Sequence, residues 1–428
     1  MKLEVEVVSR ETVQPFSPTP DQLRSYQLSF LDQLMASIYN PWVIFYPGIC
    51  DTEANIIKTS DQLKQSISKT LTYFYPLAGR ITSDELFVDC NDEGIPFLQA
   101  RVKCSLSDVI KNPVPSELNK LLPFDLYEDV GEFPMGIQFN IFECGGIGIG
   151  LCITHKIVDA LSFFTVVNMW AAIARGDEKL VSPQFGSASL FPPRDLSGYK
   201  TVIPKPKDKL ISKRFVFSAS KIEEIRGNYS SLENQTRPTR VEALSAFIWS
   251  RFVAATEVKS RPDSFCFITH MVNLRTRIDP PLPEYSIGNF CSHAITIPPI
   301  DENGEICHNL VTQIRDSIQE FDKEFVKKFQ DGYNRIDYMK EITTGYKEII
   351  YLSFTSLCRF PIYETDFGWG RPIWAGSAAR TIKNLVVFMD TVDGKGIEAW
   401  VYLKDEDMAK FESDEEILAS IAPKSFKD

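Results

Sequence analysis

Residues 135–159 read MGIQFNIFECGGIGIGLCITHKIVD, and their pattern decides the fold. Ile137, Phe139 and Ile141 alternate with polar or small residues, Gly145-Gly146 offers a turn, and Ile147, Ile149, Leu151 and Ile153 alternate again. Period-two alternation on both sides of a glycine pair predicts a β-hairpin whose second strand runs into Thr154-His155. By the same period His155 shares a face with Ile147, Ile149, Leu151 and Ile153. From about Leu161 the period lengthens, and Phe164, Val167 and Trp170 or Ala171 fall along one face of a helix.

Upstream, a strand is expected at residues 3–8, a turn at Ser17-Pro18-Thr19-Pro20, and an amphipathic helix carrying Leu63, Ile67, Leu71 and Phe74. Pro76 and Gly79 close that helix. Residues 191–212 turn to Pro, Lys, Asp and Gly with little apolar period, which predicts a linker between a domain at 1–190 and a second at 213–428. The second half resumes with a strand at 214–217 and a buried helix at 241–252. A long amphipathic helix follows through Val311, Ile314, Ile318, Phe321 and Phe325. Late strands are expected at 352–357, at 385–389 and over Ile397 to Leu403, the last after the turn Asp393-Gly394-Lys395-Gly396. Strands and helices mix in both halves, so the class is α/β or α+β in two domains of similar size.

The 428 residues are too many for one ordinary domain, and 44% apolar with 24% charged residues is the balance of a soluble globular chain. No stretch reaches the roughly 18 uninterrupted apolar residues of a membrane span. The first residues alternate apolar and charged positions and lack a secretory core, so a cytoplasmic protein is expected. The sequons at Asn228 and Asn234 therefore carry little weight. Nine scattered cysteines without a C-x-x-C, and four histidines with no pair at ligand spacing, predict neither a disulfide framework nor a metal site. A net charge of −11 disfavours nucleic acid and anionic membranes, and it requires local basic groups for any polyanionic ligand.

His155 is the first candidate for chemistry, and Asp159 four residues on completes H-x-x-x-D. Taken alone, that pattern arises easily by chance. A second candidate is Asp366-Phe367-Gly368-Trp369-Gly370. Its start imitates the D-F-G of protein kinases, but neither an H-R-D-type loop nor a glycine-rich phosphate loop accompanies it. Two glycines around a tryptophan suggest a tight loop with an aromatic anchor. Cys152 falls on the strand face opposite His155 and reads as a buried thiol. The glycines at 145–150 do not match G-x-G-x-x-G, and no G-x-S-x-G is present. His270, His293 and His308 share no spacing and read as structural or surface residues.

H-x-x-x-D followed about two hundred residues later by D-F-G-W-G resembles the plant BAHD acyltransferases. The resemblance extends through Ser17-Pro18-Thr19-Pro20, Leu31-Asp32, Tyr75-Pro76-Leu77-Ala78-Gly79-Arg80, Thr239-Arg240-Val241-Glu242, Asn273-Leu274-Arg275 and Gly288-Asn289, in order and over nearly the whole chain. It implies two mixed-sheet domains of the chloramphenicol-acetyltransferase-like type with a solvent channel at their interface. It implies His155 as general base, Asp159 paired with Arg275 to support the catalytic loop, and Asp366 to Gly370 as a structural motif. Part of a coenzyme A pocket is implied at Thr239 and Arg240.

The expected reaction moves an acyl group from acyl-CoA, with acetyl-CoA the donor implied by the acetyltransferase branch, onto a hydroxyl. The acceptor would be a small-molecule alcohol such as an alkaloid, terpenoid or aromatic alcohol. No bound cofactor or metal is expected, and the chain is expected to be a monomer. An N-acyltransferase on an amine and a catalytically silent acyl-CoA-binding protein stay open as alternatives. Thr154 and Ala160 depart from the H-H-x-x-x-D-G of hydroxycinnamoyl members. Ser286 to Phe290 departs from the Y-F-G-N-C of malonyltransferases. Both departures weigh against those substrates.

Overall fold

The computed structural model describes residues 2–126, 133–196, 209–230, 237–257, 263–298, 309–333 and 335–421. Its chain divides into two compact units, each built on a six-stranded mixed sheet.

The first unit comprises Met1–Lys205, Leu282–Phe290 and Phe360–Thr381. Its sheet runs in the order Val5–Val13, Ile95–Val102, Met135–Phe142, Ile147–Thr154, Tyr39–Tyr46 and Trp374–Ser377. The predicted hairpin is present, with Met135 opposite Ile153 and Ile141 opposite Ile147. Every residue of both its strands is buried, as central strands covered on both faces should be. That burial explains the glycines. A Cβ at Gly150 would stand 1.8 Å from the Leu121 carbonyl oxygen, so a crossing backbone leaves room only for hydrogen there. Helices Glu53–Tyr73 and Ala160–Arg175 pack together, and Trp170 Nε1 donates to Ser66 Oγ at 2.9 Å. The amino-terminal strand runs to Val13, beyond the 3–8 expected, because Val5–Val13 pairs along the whole of Ile95–Val102.

The second unit comprises Pro206–Pro281, Cys291–Arg359 and Ile382–Asp428. Its sheet runs Leu210–Phe217, Ile397–Lys404, Leu385–Asp390, Glu348–Ser356, Ser264–Asn273 and Cys291–Thr296. Helix Arg240–Thr256 buries Leu244, Ile248 and Phe252 in a core shared with Phe217, Ile268, Phe354 and Val401. The long helix expected through Phe325 is two helices, Leu310–Gln319 and Lys323–Gln330. Asp322 caps the second by accepting from Phe325 N at 2.8 Å, and that cap restarts the helix.

The expected boundaries at 1–190, 191–212 and 213–428 are corrected by this division. Two later segments return to the first unit. Ser286–Ile287 pairs in parallel with Gln184–Phe185, and Trp374–Ser377 pairs antiparallel with Tyr39–Tyr46. The D-F-G-W-G motif accordingly belongs to the first unit, not to a carboxy-terminal domain. Residues 197–208 of the expected linker, His308 and the sequon at Asn234 lie outside the described residues.

Candidate active site

His155 follows the strand Ile147–Thr154, and its backbone N–H donates to Ile38 O at 2.8 Å. The turn after it is held on both sides. Lys156 N donates to Thr154 Oγ1 at 3.3 Å, and Ile157 and Val158 are fully buried. Lys156 itself is only 2% exposed; its ammonium donates to Gln33 O and pairs with Glu85 at 2.9 Å. A cavity of about 840 Å³ lies beside this loop, lined among others by Gln33, Ser37, Glu85, Lys156 and Arg194.

Asp159 caps helix Ala160–Arg175, accepting Ser162 N on Oδ1 at 2.9 Å. Its Oδ2 accepts Phe290 N at 3.1 Å. Each carboxylate oxygen therefore holds a backbone amide, which positions the loop, and His155 has side-chain contacts of its own. Those contacts come from Asn289. His155 Nδ1 lies 3.0 Å from Asn289 Oδ1, while Asn289 Nδ2 donates to His155 O and to Asp32 Oδ1, each at 2.8 Å. Because Nδ2 faces two acceptors, the amide can turn only its oxygen toward the imidazole. Nδ1 must then carry the proton, and Nε2 keeps the lone pair of a base.

Asp32 anchors this chain of bonds. It is fully buried, and Oδ1 also accepts Asn289 N at 3.0 Å. Oδ2 accepts Ser29 N at 2.8 Å and Ser29 Oγ at 2.6 Å, closing a capping box on helix Phe30–Leu34. Burial raises the Asp32 pKa above the ordinary value, and the bonds from Ser29 and Asn289 oppose it. At His155 burial acts in the other direction and lowers the pKa below 6.5. Asp159, Asn289 and the residue's own carbonyl offset this in part, and Arg380 adds to it. A depressed pKa keeps the imidazole neutral near pH 7, the state a general base requires.

The other expected site residues have these contacts within their own units. Arg275 lies in the second unit, 2% exposed, with its N–H and Nη1 donating to Asn273 Oδ1 at 3.1 and 3.4 Å. Thr239 caps helix Arg240–Thr256 in a capping box with Glu242. Arg240 pairs with Asp390 at 2.8 Å and donates to the carbonyls of Gly394 and Lys395.

Asp366 to Gly370 form a tight loop. Asp366 Oδ1 accepts the N–H groups of Gly368 and Gly370 at 2.8 and 2.9 Å, and both glycines take the positive φ that such a loop requires. Phe367 is fully buried, edge-on to Trp170 at 4.7 Å and stacked on Trp369 at 5.4 Å. Arg175 donates to Asp366 O, and Gln62 Nε2 to Phe367 O. Cys152 is buried, and burial pushes its thiol far above the ordinary range, which disfavours the nucleophilic thiolate. Among the described residues no cluster could hold a metal, and no helix is long and apolar enough to cross a membrane.

Asp32 and Asn289 escaped sequence reasoning as functional residues. They appear in the sequence only as members of the pairs Leu31-Asp32 and Gly288-Asn289. Nothing local to either pair marks a contact with His155.

Residues 3–418 match the model described as the Transferase family. The chain belongs to the plant BAHD acyltransferases. This member is 38% identical over 429 residues to limonoid 21-O-acetyltransferase of Melia azedarach, covering 98% of this chain and 99% of the relative. Its fold is similar to the crystal structure of vinorine synthase, a protein of Rauvolfia serpentina, at a TM-score of 0.84 and 36% identity, covering 98% of each chain. TRI101 of F. sporotrichioides, solved in complex with coenzyme A and T-2, shares the fold at a TM-score of 0.71 and 16% identity, covering 94% of this chain and 100% of that one. The two-unit α/β fold of this BAHD member is thus the fold of its family, and the protein is an acyltransferase.

Proposed function

We propose that this BAHD member is an O-acyltransferase that moves an acetyl group from coenzyme A to a hydroxyl of a plant specialised metabolite, with His155 Nε2 as general base. The observation that carries the reading is the hydrogen bond that His155 Nδ1–H donates to Asn289 Oδ1, which leaves Nε2 basic. A free alcohol is a poor nucleophile at neutral pH, and a positioned base supplies about 10² to 10⁴ in rate. As the hydroxyl oxygen attacks the thioester carbonyl, Nε2 takes its proton. Collapse of the tetrahedral adduct expels the sulfur, which takes that proton back. No covalent acyl-enzyme is needed.

The acetyl donor is favoured by the name of the limonoid relative, and coenzyme A by its presence in the TRI101 complex. Asp159 and Arg275 are assigned to support of the catalytic loop. Asp366 to Gly370 are assigned to packing. The setting proposed is a monomer in a reducing cytoplasm; the eight free cysteines among the described residues support the reducing compartment.

An acceptor screen pairing matched alcohols and amines tests the reading. Ester formation that requires His155 is expected; amide as the only product would replace it with N-acylation.

A further inference from the structure

Acyl transfer makes a demand that none of the residues above meets. When the hydroxyl oxygen adds to the thioester, the carbonyl π pair moves onto oxygen, and that oxyanion needs donors close at hand. Two such donors stand near His155. In the pairing of Tyr39–Tyr46 with Ile147–Thr154, Asn40 is opposite Ile153, and the next backbone bond joins His155 N to Ile38 O. Opposed residues of an antiparallel pair project to one face, and so do alternate residues of one strand. Ile38, Asn40, Ile153 and His155 therefore share a face.

Asn40 is 8% exposed. Arg380 Nη1 donates to its Oδ1 at 3.0 Å, and Arg380 Nε donates to Ser377 Oγ at 3.3 Å. A guanidinium only donates, so the amide oxygen must face Arg380 and the NH₂ must face away from it. That Nδ2 is buried and has no hydrogen-bond partner among the described residues. Leaving a buried donor unsatisfied costs about 1–3 kcal/mol, and folded proteins satisfy nearly all such groups. An N–H that no described residue accepts is suited to an acceptor that arrives with the substrate. Arg380 is also near enough to act electrostatically on the His155 ring.

We propose that Asn40 Nδ2–H and the Arg380 guanidinium receive the carbonyl oxygen of the acyl thioester as it becomes the oxyanion. The assignment rests on the acyl-transfer reading above. In the step it serves, the acceptor C–O bond forms, the hydroxyl proton goes to His155 Nε2, and the carbonyl pair rests on the oxygen held by the two donors. The pair then returns, the C–S bond breaks, and the leaving sulfur takes the proton from Nε2, giving ester and coenzyme A thiol. No other reactant is consumed.

The test is steady-state kinetics of Asn40→Ala, Arg380→Met and Arg380→Lys on the full chain, with donor and acceptor varied and thermal unfolding followed alongside. An oxyanion donor acts only in the transition state. Asn40→Ala should therefore lower kcat by about 10²- to 10³-fold with both KM values within about threefold. Arg380→Met should lower kcat in the same manner, and Arg380→Lys, which keeps a cationic donor, should recover part of it. An Asn40→Ala that folds and keeps kcat within about threefold, or whose loss is confined to KM, overturns the assignment. Should Asn40→Ala fail to unfold cooperatively, the Met and Lys variants at 380 decide by the same criterion. Turnover that needs His155 but ignores both donors overturns this assignment alone. A wild-type protein that releases no coenzyme A thiol with any donor and alcohol overturns the acyl-transfer reading, and this assignment with it.

Discussion

At His155 the choice of basic nitrogen is made by an amide 134 residues away in sequence. Asn289 can present only oxygen to Nδ1 because its NH₂ is already held by Asp32 Oδ1 and His155 O. Asn289→Ala should therefore lower kcat/KM by about 10²-fold or more while donor binding holds, since the base loses its fixed tautomer but keeps its place. Equal losses in donor affinity and kcat would assign Asn289 to binding. The lowered His155 pKa sets the pH profile. Neutral imidazole is the active form, so kcat/KM should fall with one proton as pH drops, along a limb lying below 6.5. A limb centred above 6.5 would contradict the buried, neutral base. The histidine itself was legible in the sequence, because alternation along 147–153 delivers it to a strand end. The groups that hold it were not, because Asp32, on the helix Phe30–Leu34, and Asn289 meet only in the folded unit, 257 residues apart.

Among the elements, the hairpin, the helix after Asp159 and the strands at 385–390 and 397–404 follow directly from periodicity. The break between Leu310–Gln319 and Lys323–Gln330 does not, since Phe321 and Phe325 continue the apolar spacing while Asp322 caps across it. Gly150→Ala should destabilise the hairpin by several kcal/mol or block folding, because the added Cβ meets a backbone carbonyl that cannot move aside. Wild-type thermal stability in that variant would refute the close approach. In the second sheet His270 stacks on Phe354 at 5.0 Å, and neither ring nitrogen has a hydrogen-bond partner among the described residues. Burial pulls its pKa from 6.5 down to about 3. Between those values the unfolded chain holds a proton that the native state refuses, so stability falls as pH drops through that window, by up to about 1.4 kcal/mol per pH unit. Urea unfolding of His270→Phe at pH 7, 6 and 5 should show a flatter decline than wild type. Parallel declines would mean that His270 is protonated natively.

For the molecule as a whole, the order of residues along the chain is a poor guide to which unit holds them. Composition marked a linker near 191–212, but it could not show that Leu282–Phe290 and Phe360–Thr381 belong with the first unit. The strand that returns is four residues long, Trp374–Ser377, too short for its period to be read. The consequence is that residues 1–205 expressed alone lack an edge strand, Asn289 and the Phe367 anchor. They should show no cooperative unfolding transition where the full chain does; a cooperative melt would contradict the interleaved unit. The reaction itself is tested most directly by release of coenzyme A thiol from acetyl-CoA across a panel of plant alcohols, with His155→Ala in parallel. Thiol release that requires both an alcohol and His155, with the ester found by mass spectrometry, is the predicted result. Release that persists undiminished in His155→Ala would contradict the assignment of Nε2 as the base.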